Sequence, residues 1–99
     1  MDASPTPIPT IRIFVPGLLR DECGGVSSLE LPATDVRAAL VELEHRFPSL
    51  HRRVCDETGA VRRHVNLFVN ESHIRDRDGL DTALRPGDEV VIMPAVSGG

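Results

Sequence analysis

Hydrophobic and polar residues alternate from Thr10 to Val15, with Ile11, Ile13 and Val15 on one face of the segment and the intervening residues on the other. A period of two is typical of a strand that is buried on one face. Pro16-Gly17 ends this strand, and a long loop with a Gly-Gly turn follows. The pattern predicts a second strand at Val26 to Leu31, antiparallel to the first, so that the chain opens with a hairpin.

One amphipathic helix is predicted from Asp35 to Phe47, because apolar residues recur there at helical spacing. These residues are Val36, Leu40, Leu43 and Phe47. Thr34 is a residue type that caps helix N termini, and Pro48 disfavours helical geometry in the residue before it. The helix is therefore expected to be capped by Thr34 and to pack one face against the sheet.

The second half of the chain contains shorter segments with weaker patterns. They are a helical turn or irregular crossover at Leu50 to Arg53, a small hairpin or elaborated loop at Val54 to Arg63, a strand at His64 to Asn70, a turn at Asn70 to Ser72, one helical turn at Leu80 to Leu84, and a strand at Glu89 to Met93. The order β, β, α, β, β, with a long crossover, allows the last strand to lie parallel beside the first. The sequence therefore predicts an α+β protein with a β-grasp (ubiquitin-like) fold, in which one main helix packs across a mixed sheet.

The last stretch of the sequence combines a turn, a strand and a small-residue tail. Arg85 to Asp88 is predicted to be a turn, because Pro86 fixes φ and Gly87 admits a positive φ. Pro94 ends the strand because it has no N–H to donate, and Ala95 to Gly99 are small or flexible. We expect a flexible leader at residues 1–9, a β-grasp domain at 10–94 and a flexible tail at 95–99.

Gly98 and Gly99 add conformational entropy to the unfolded chain and contribute no packing, so stability does not explain them. An extended Gly-Gly pair can pass through a channel too narrow for any other pair of residues, and can present a carboxylate beyond it. The alternative is a frayed terminus, and the composition leaves both interpretations open.

Composition excludes several classes of protein. The 99 residues, 40% hydrophobic and 26% charged, fit one globular domain. No apolar run is long enough for a bilayer span and no signal peptide is recognisable, so a cytoplasmic protein with no membrane partner is expected. A net charge of −4 and three aromatic residues, all Phe, argue against a nucleic-acid partner.

The sequence offers little for catalysis within the chain itself. The histidines His45, His51, His64 and His73 match no metal-ligand spacing, so no metal site and no bound cofactor are expected. Cys23 and Cys55 are interpreted as free structural thiols. A basic cluster formed by Arg52, Arg53, Arg62, Arg63 and His64 is interpreted either as a solvated face or as a contact for an acidic partner or an adenylate. No catalytic residue is predicted.

Three segments carry a resemblance to a known family: IRIFV near the start, VNLFVN followed shortly by IR, and LRPGDEVVIMPAVSGG at the end. The chain is similar to the ubiquitin-like sulfur carriers of the MoaD/ThiS family, and above all to its CysO-like bacterial members. The similarity extends from Thr10 to Gly99. Its most specific part is GDEV, an apolar strand, a Pro and a small residue before the final Gly-Gly.

The resemblance implies a chemistry for Gly99, with Ser97 and Gly98 as part of the tail that presents it. A separate adenylating enzyme would use ATP to activate the Gly99 carboxylate, and sulfur would then displace AMP to give a thiocarboxylate. A second, sulfur-accepting biosynthetic enzyme would receive the sulfur. The chain itself would be a protein co-substrate, expected to be a monomer when alone, and its partner would supply every catalytic group.

A docking surface follows from the strand alternation. If Ile11 and Ile13 are in the core, then Phe14 lies on the outer face of the sheet, as does Phe68 on its own strand. Met93, Pro94 and Val96 are the further candidates for binding the partner. Two alternatives are that the loop at Leu18 to Gly25 covers these side chains, or that a one-residue shift in register reverses their faces.

Two other functions use the same residues. The chain could be a ubiquitin-like modifier joined through Gly99 to lysines of other proteins, or a non-covalent β-grasp adaptor in which the Gly-Gly pair is incidental. For a sulfur carrier, cysteine synthesis is the favoured pathway, while molybdopterin, thiamine or a specialised metabolite remain alternatives.

Overall fold

The computed structural model describes residues 8–95, so the predictions for the first seven residues of the leader and for Val96 to Gly99 lie outside the described residues. Five strands form one sheet in the order β2-β1-β5-β3-β4. The strands are β1 (Thr10–Phe14), β2 (Ser28–Pro32), β3 (Val65–Val69), β4 (Ser72–His73) and β5 (Glu89–Pro94). The helices are α1 (Val36–Arg46) and α2 (Pro48–Val54), with short 3₁₀ segments at Gly17–Cys23, Ile74–Asp76 and Gly79–Asp81.

The last strand of the sequence lies in the middle of the sheet. β5 runs parallel to β1 on one side and antiparallel to β3 on the other. β1 also forms the predicted antiparallel hairpin with β2. This mixed sheet, with helices packed on one face, confirms the predicted β-grasp fold.

The core lies between the sheet and α1. Ile11, Ile13 and Val15 are buried on the helix-facing side, as the alternation predicted, and Val90 and Ile92 of β5 are buried beside them. From α1, side chains at helical spacing complete the core, namely Val36, Ala39, Leu40 and Leu43. Burial of this apolar surface is the main source of stability.

Two strand predictions were wrong in detail. The second strand begins at Ser28 rather than at Val26, which is 42% exposed. Ser72, predicted to lie in a turn, instead begins β4, which is only two residues long. A strand of two residues contains no repeat of the alternation, so periodicity cannot detect it.

A second helix replaces the ambiguous crossover. α2 begins at Pro48, which the sequence analysis treated only as the end of the first helix. Proline is favoured in the first turn of a helix, because its missing N–H is one that has no intrahelical partner. Pro48 therefore separates two consecutive helices. The segment after it, predicted to be a small hairpin or an elaborated loop, contains one antiparallel bridge between Cys55 and Val61.

The N terminus of α1 is capped by Asp35 rather than by Thr34, which corrects the prediction. Asp35 has extended backbone angles, and its Oδ1 accepts a hydrogen bond of 2.7 Å from the backbone N of Ala38. Thr34 is exposed and contributes only its backbone carbonyl, which accepts from Leu84 N. Both residue types cap helices well, so the sequence alone could not choose between neighbours.

Replacing Asp35 by Ala is expected to lower the free energy of unfolding by about 1 kcal/mol, because the Ala38 N–H loses its partner. Urea unfolding followed by circular dichroism measures this change. Thr34→Ala is the matched control and should change the free energy by less than ~0.5 kcal/mol. Equal losses in the two variants would contradict the assignment of Asp35 as the cap.

Candidate functional site

A row of apolar side chains crosses the outer face of the sheet, opposite the helices. Phe14 of β1 is aligned with Val91 of β5, and Val91 is aligned with Phe68 of β3. All three side chains are half-buried, and Met93, two residues further along β5, is 50% exposed. We call Phe14, Phe68, Val91 and Met93 the outer patch. A contiguous apolar surface on a small protein is typical of an interaction site.

Polar contacts hold the edges of the outer patch. The His73 ring packs edge-on against Phe68, with ring centroids 5.0 Å apart. His73 Nδ1 accepts from Arg75 N at 2.9 Å, so Nε2 carries the proton and donates to Asn66 Oδ1 at 3.0 Å. At the opposite edge of the sheet, Arg12 of β1 and Glu30 of β2 form an ion pair at 3.1 Å. The outer patch therefore lies between two polar borders, one at each edge of the sheet.

The enlarged loop after β1 does not cover the outer patch. Its 3₁₀ segment, Gly17–Cys23, packs against α2 and buries Leu19 and Cys23. The Nε of Arg20 ties this segment back to the carbonyl of Val15 at 3.0 Å. The loop therefore lies on the side of the sheet that carries the helices, and the alternative that it shields Phe14 is not supported.

The backbone is held firmly up to the start of the tail. The turn before β5 forms as predicted, with Gly87 at φ 84° and Asp88 N donating to Arg85 O at 3.0 Å. At the other end of β5, Pro94 is aligned with Val65, and Ala95 N donates to the carbonyl of His64. The tail thus continues from the central strand of the sheet, and Pro94 alone separates it from Met93 of the outer patch.

The family model described as the ThiS family matches residues 13–99 of the sequence. The chain belongs to the ThiS family. It is 34% identical over 91 residues to the sulfur carrier protein CysO of Mycobacterium tuberculosis, an alignment that covers 90% of this chain and 98% of the relative.

Two further similarities bear on this ThiS-family chain. The crystal structure of the Amycolatopsis orientalis BexX/CysO complex contains a chain with a TM-score of 0.82 and 30% identity, covering 90% of this chain and 99% of that one. The small archaeal modifier protein 3 of Haloferax volcanii is 38% identical over 60 residues, which is 61% of this chain and 64% of the relative. The similarity to the sulfur carrier protein CysO places the chain among the sulfur carrier proteins of its family, which are carriers rather than catalysts.

The structure brings together three of the residues that the sequence analysis proposed for partner binding in this ThiS-family chain, namely Phe14, Phe68 and Met93. It does not place Pro94 with them, because Pro94 is aligned with the buried Val65 and so lies on the helix-facing side. Val96, Ser97, Gly98 and Gly99 lie outside the described residues. The sequence analysis missed Val91, whose position between the two Phe rings only the strand register reveals.

The part of the chain that the structure describes contains neither a cluster of metal ligands nor a membrane-spanning helix. In residues 8–95, no three His, Cys, Asp or Glu side chains come together as a metal site would require. Over the same residues, no helix has the length and apolar character needed to cross a membrane.

Cys55 is 1% exposed, and burial raises its pKa to about 11, with a further contribution from the neighbouring Asp56 carboxylate. Its thiol is therefore protonated near neutral pH.

Alkylation of Cys55 by iodoacetamide at pH 8 is expected to be at least ~100-fold slower in the folded protein than in denaturant, because the reactive thiolate is scarce and buried. A Cys23→Ser variant isolates Cys55 for this measurement by mass spectrometry. Because the folded protein holds the proton more tightly, any stability gained from the neutral thiol is lost as pH rises from about 9 to about 11. Rapid alkylation of Cys55 in the native state would contradict this description.

Proposed function

We propose that this ThiS-family chain carries sulfur on its Gly99 carboxylate. A partner enzyme adenylates that carboxylate with ATP, and the resulting thiocarboxylate donates sulfur to a biosynthetic enzyme. The observation that carries the proposal is the continuity of β5, which supplies Val91 and Met93 to the outer patch and then leads through the fixed Ala95 towards the Gly-Gly pair. A partner bound to the outer patch would hold the start of the tail in a defined direction.

The proposed chemistry consists of two steps at the Gly99 carbonyl carbon. A carboxylate oxygen attacks the α-phosphorus of ATP, and pyrophosphate leaves, which gives an acyl-adenylate. A hydrosulfide-level sulfur donor then attacks the carbonyl carbon, and AMP leaves with the bridging oxygen. The first step is needed because a carboxylate oxygen is a poor leaving group, whereas AMP is a good one. The partner supplies the ATP site and the catalytic groups for both steps.

The sulfur acceptor is proposed to be a biosynthetic enzyme, and cysteine synthesis is favoured over molybdopterin, thiamine or a specialised metabolite. The similarity to the mycobacterial CysO supports the carrier role. The complex between BexX and CysO of Amycolatopsis orientalis supports a partner protein that binds the folded carrier. The acceptor can be identified as the enzyme that co-purifies with the thiocarboxylate form of the chain.

The proposal is tested by incubating the chain with a cognate activating enzyme, ATP and sulfide, and measuring its intact mass. One terminal oxygen should be replaced by sulfur, and fragmentation should locate the change at Gly99. The same mixture without ATP is the control and should leave the mass unchanged. Sulfur found anywhere other than at Gly99 would overturn the proposal.

A second candidate function is protein modification, which the similarity to small archaeal modifier protein 3 favours. It shares the acyl-adenylate, but a lysine amine rather than sulfur attacks the carbonyl carbon. The sequence contains no lysine, and all 11 of its Lys-or-Arg positions are arginines. An adduct could therefore not be extended through a side-chain amine of this chain. Single isopeptide-linked adducts in a lysate, lost on removal of Gly99, would favour modification over sulfur transfer.

A non-covalent adaptor is the third possibility, and it does not require the Gly99 carboxylate to react. If the cellular function survives when Gly98 and Gly99 are both changed to Ala, the adaptor is supported. The sulfur carrier predicts that this double variant loses function, because the added Cβ atoms widen the segment that enters the partner.

A further inference from the structure

Three arginines gather at the end of the sheet from which the tail leaves. The backbone N of Arg62 donates to Val54 O at 2.9 Å, and the Arg62 Nε donates to Arg52 O at 2.8 Å. These bonds tie the end of α2 to the segment that enters β3. The carbonyl of His64, next to Arg63, accepts from Ala95 N, so this segment also contacts the first residue of the tail. We call Arg52, Arg62 and Arg63 the tail-root cluster.

The charges of the tail-root cluster are exposed, and that of Arg62 is partly offset by the nearby Asp56 carboxylate. All three side chains are exposed, and within residues 8–95 neither Arg52 nor Arg63 takes part in an ion pair. Other arginines do form ion pairs, namely Arg12 with Glu30, Arg37 with Asp81, Arg46 with Glu42 and Arg53 with Glu22.

Two acidic residues, Asp56 and Glu57, lie in the loop between Arg52 and Arg62, and within residues 8–95 neither forms an ion pair with the cluster. Oδ1 of Asp56 accepts from the N and Oγ1 of Thr58 and from Ala60 N, at 2.6 to 3.1 Å, and closes its own loop. Glu57 is exposed in the same loop. Residues 52–64 contain four arginines against two acidic residues, whereas the chain as a whole carries a net charge of −4.

We propose that the tail-root cluster docks against an acidic surface of the activating enzyme, around the opening that receives the tail. This inference rests on the proposed function and names the kind of surface that the carrier recognises. A chain with net negative charge would otherwise be repelled by a site that holds ATP. A basic end that leads the approach orients the carrier and raises its association rate.

The length of the tail favours acidic protein side chains over the nucleotide phosphates as the partner of the cluster. Residues 96–99, fully extended, span at most about 14 Å. If the tail is extended when it is inserted, the carboxylate reaches the ATP while the body of the carrier stays up to about 14 Å behind. Arg63 is therefore positioned to meet the rim of the opening.

The test compares charge reversal at two arginines that are alike in exposure but lie at opposite ends of the sheet. Arg63→Glu changes the tail-root cluster, and Arg85→Glu changes the turn before β5 by the same charge. For each full-length variant, pyrophosphate release by the activating enzyme is measured against carrier concentration at low and at high salt. Circular dichroism verifies that both variants are folded.

Arg63→Glu is expected to raise KM for the carrier about 10-fold at low salt with kcat nearly unchanged, because docking weakens while the chemistry is intact. Arg85→Glu should change KM less than about twofold, and Arg63→Lys should behave like the wild type because the charge is kept. At 1 M salt the effect of Arg63→Glu should largely disappear. Equal KM values for the two reversals, or a salt-independent effect, would overturn the docking proposal alone. If the wild-type chain is never adenylated, both the proposed function and the docking proposal are wrong.

Discussion

Deleting Gly99 is expected to abolish sulfur incorporation, with a loss of at least ~1,000-fold in the rate measured by intact mass. The shortened chain still ends in a carboxylate, but that carboxylate is about 3.5 Å short of the position that Gly99 would reach. Because displacement of a reacting group by only about 1 Å can cost ~100-fold, an error of a full residue should stop adenylation. Pyrophosphate release should fall in parallel, since the first step is the one that is lost.

The matched control is a comparison of the stability of the deletion variant with that of the wild type. Gly99 has no side chain, and the hydrogen bonds that fix β5 end at Ala95 in the described part of the chain. The urea midpoint of the deletion variant should therefore equal that of the wild type. A shortened chain that still gained sulfur at its new terminus would show that the carboxylate of Gly99 is not the reacting group.

The sequence predicted the architecture because the strongest patterns lie in the elements that define it. The alternation of Ile11, Ile13 and Val15 set the buried face of β1, and the Pro86-Gly87 turn set the start of β5. Once β1 and β5 were assigned on the two sides of a long crossover, a parallel pairing between them was the simplest topology. The helix-facing core followed from these two strands.

The details that failed depended on information the sequence does not contain. A period of two places Val91 on the same face as Met93, but the sequence does not show which residues of the neighbouring strands lie beside Val91. Only its alignment with Phe14 and Phe68 places Val91 in the outer patch. In the same way, adjacent cap-forming residues and a two-residue strand leave no distinctive local pattern.

β5 connects the outer patch to the segment that contains the proposed reacting carboxylate. Its outward residues Val91 and Met93 lie in the outer patch, and its backbone is hydrogen-bonded on both sides before it becomes the tail. A partner bound to the outer patch would therefore also hold the backbone from which residues 96–99 continue. The length of residues 96–99 then limits how far the proposed reacting carboxylate can lie from the bound domain.

Val91→Glu is expected to raise the Kd for the activating enzyme about 100-fold, or about 2.7 kcal/mol. Val91 lies between Phe14 and Phe68, at the centre of the outer patch, where a partner would exclude water most completely. A carboxylate at this position would be desolvated without a partner charge, and that penalty appears directly as lost affinity. Isothermal titration calorimetry with the purified enzyme measures Kd.

Val41→Glu supplies the matched control, because Val41 is also an exposed apolar residue, at 47% exposure, but lies on α1 at the opposite side of the sheet. Its Kd should stay within about twofold of the wild type. Met93→Glu tests the same patch with a variant that should stay folded even if Val91→Glu does not. The Met93 side chain is 50% exposed, so its replacement leaves the core intact. Weakening of binding by Met93→Glu and Val91→Glu, but not by Val41→Glu, would assign the interface to the outer patch. Comparable weakening by Val41→Glu would instead show that the activating enzyme binds the face of the protein that carries the helices.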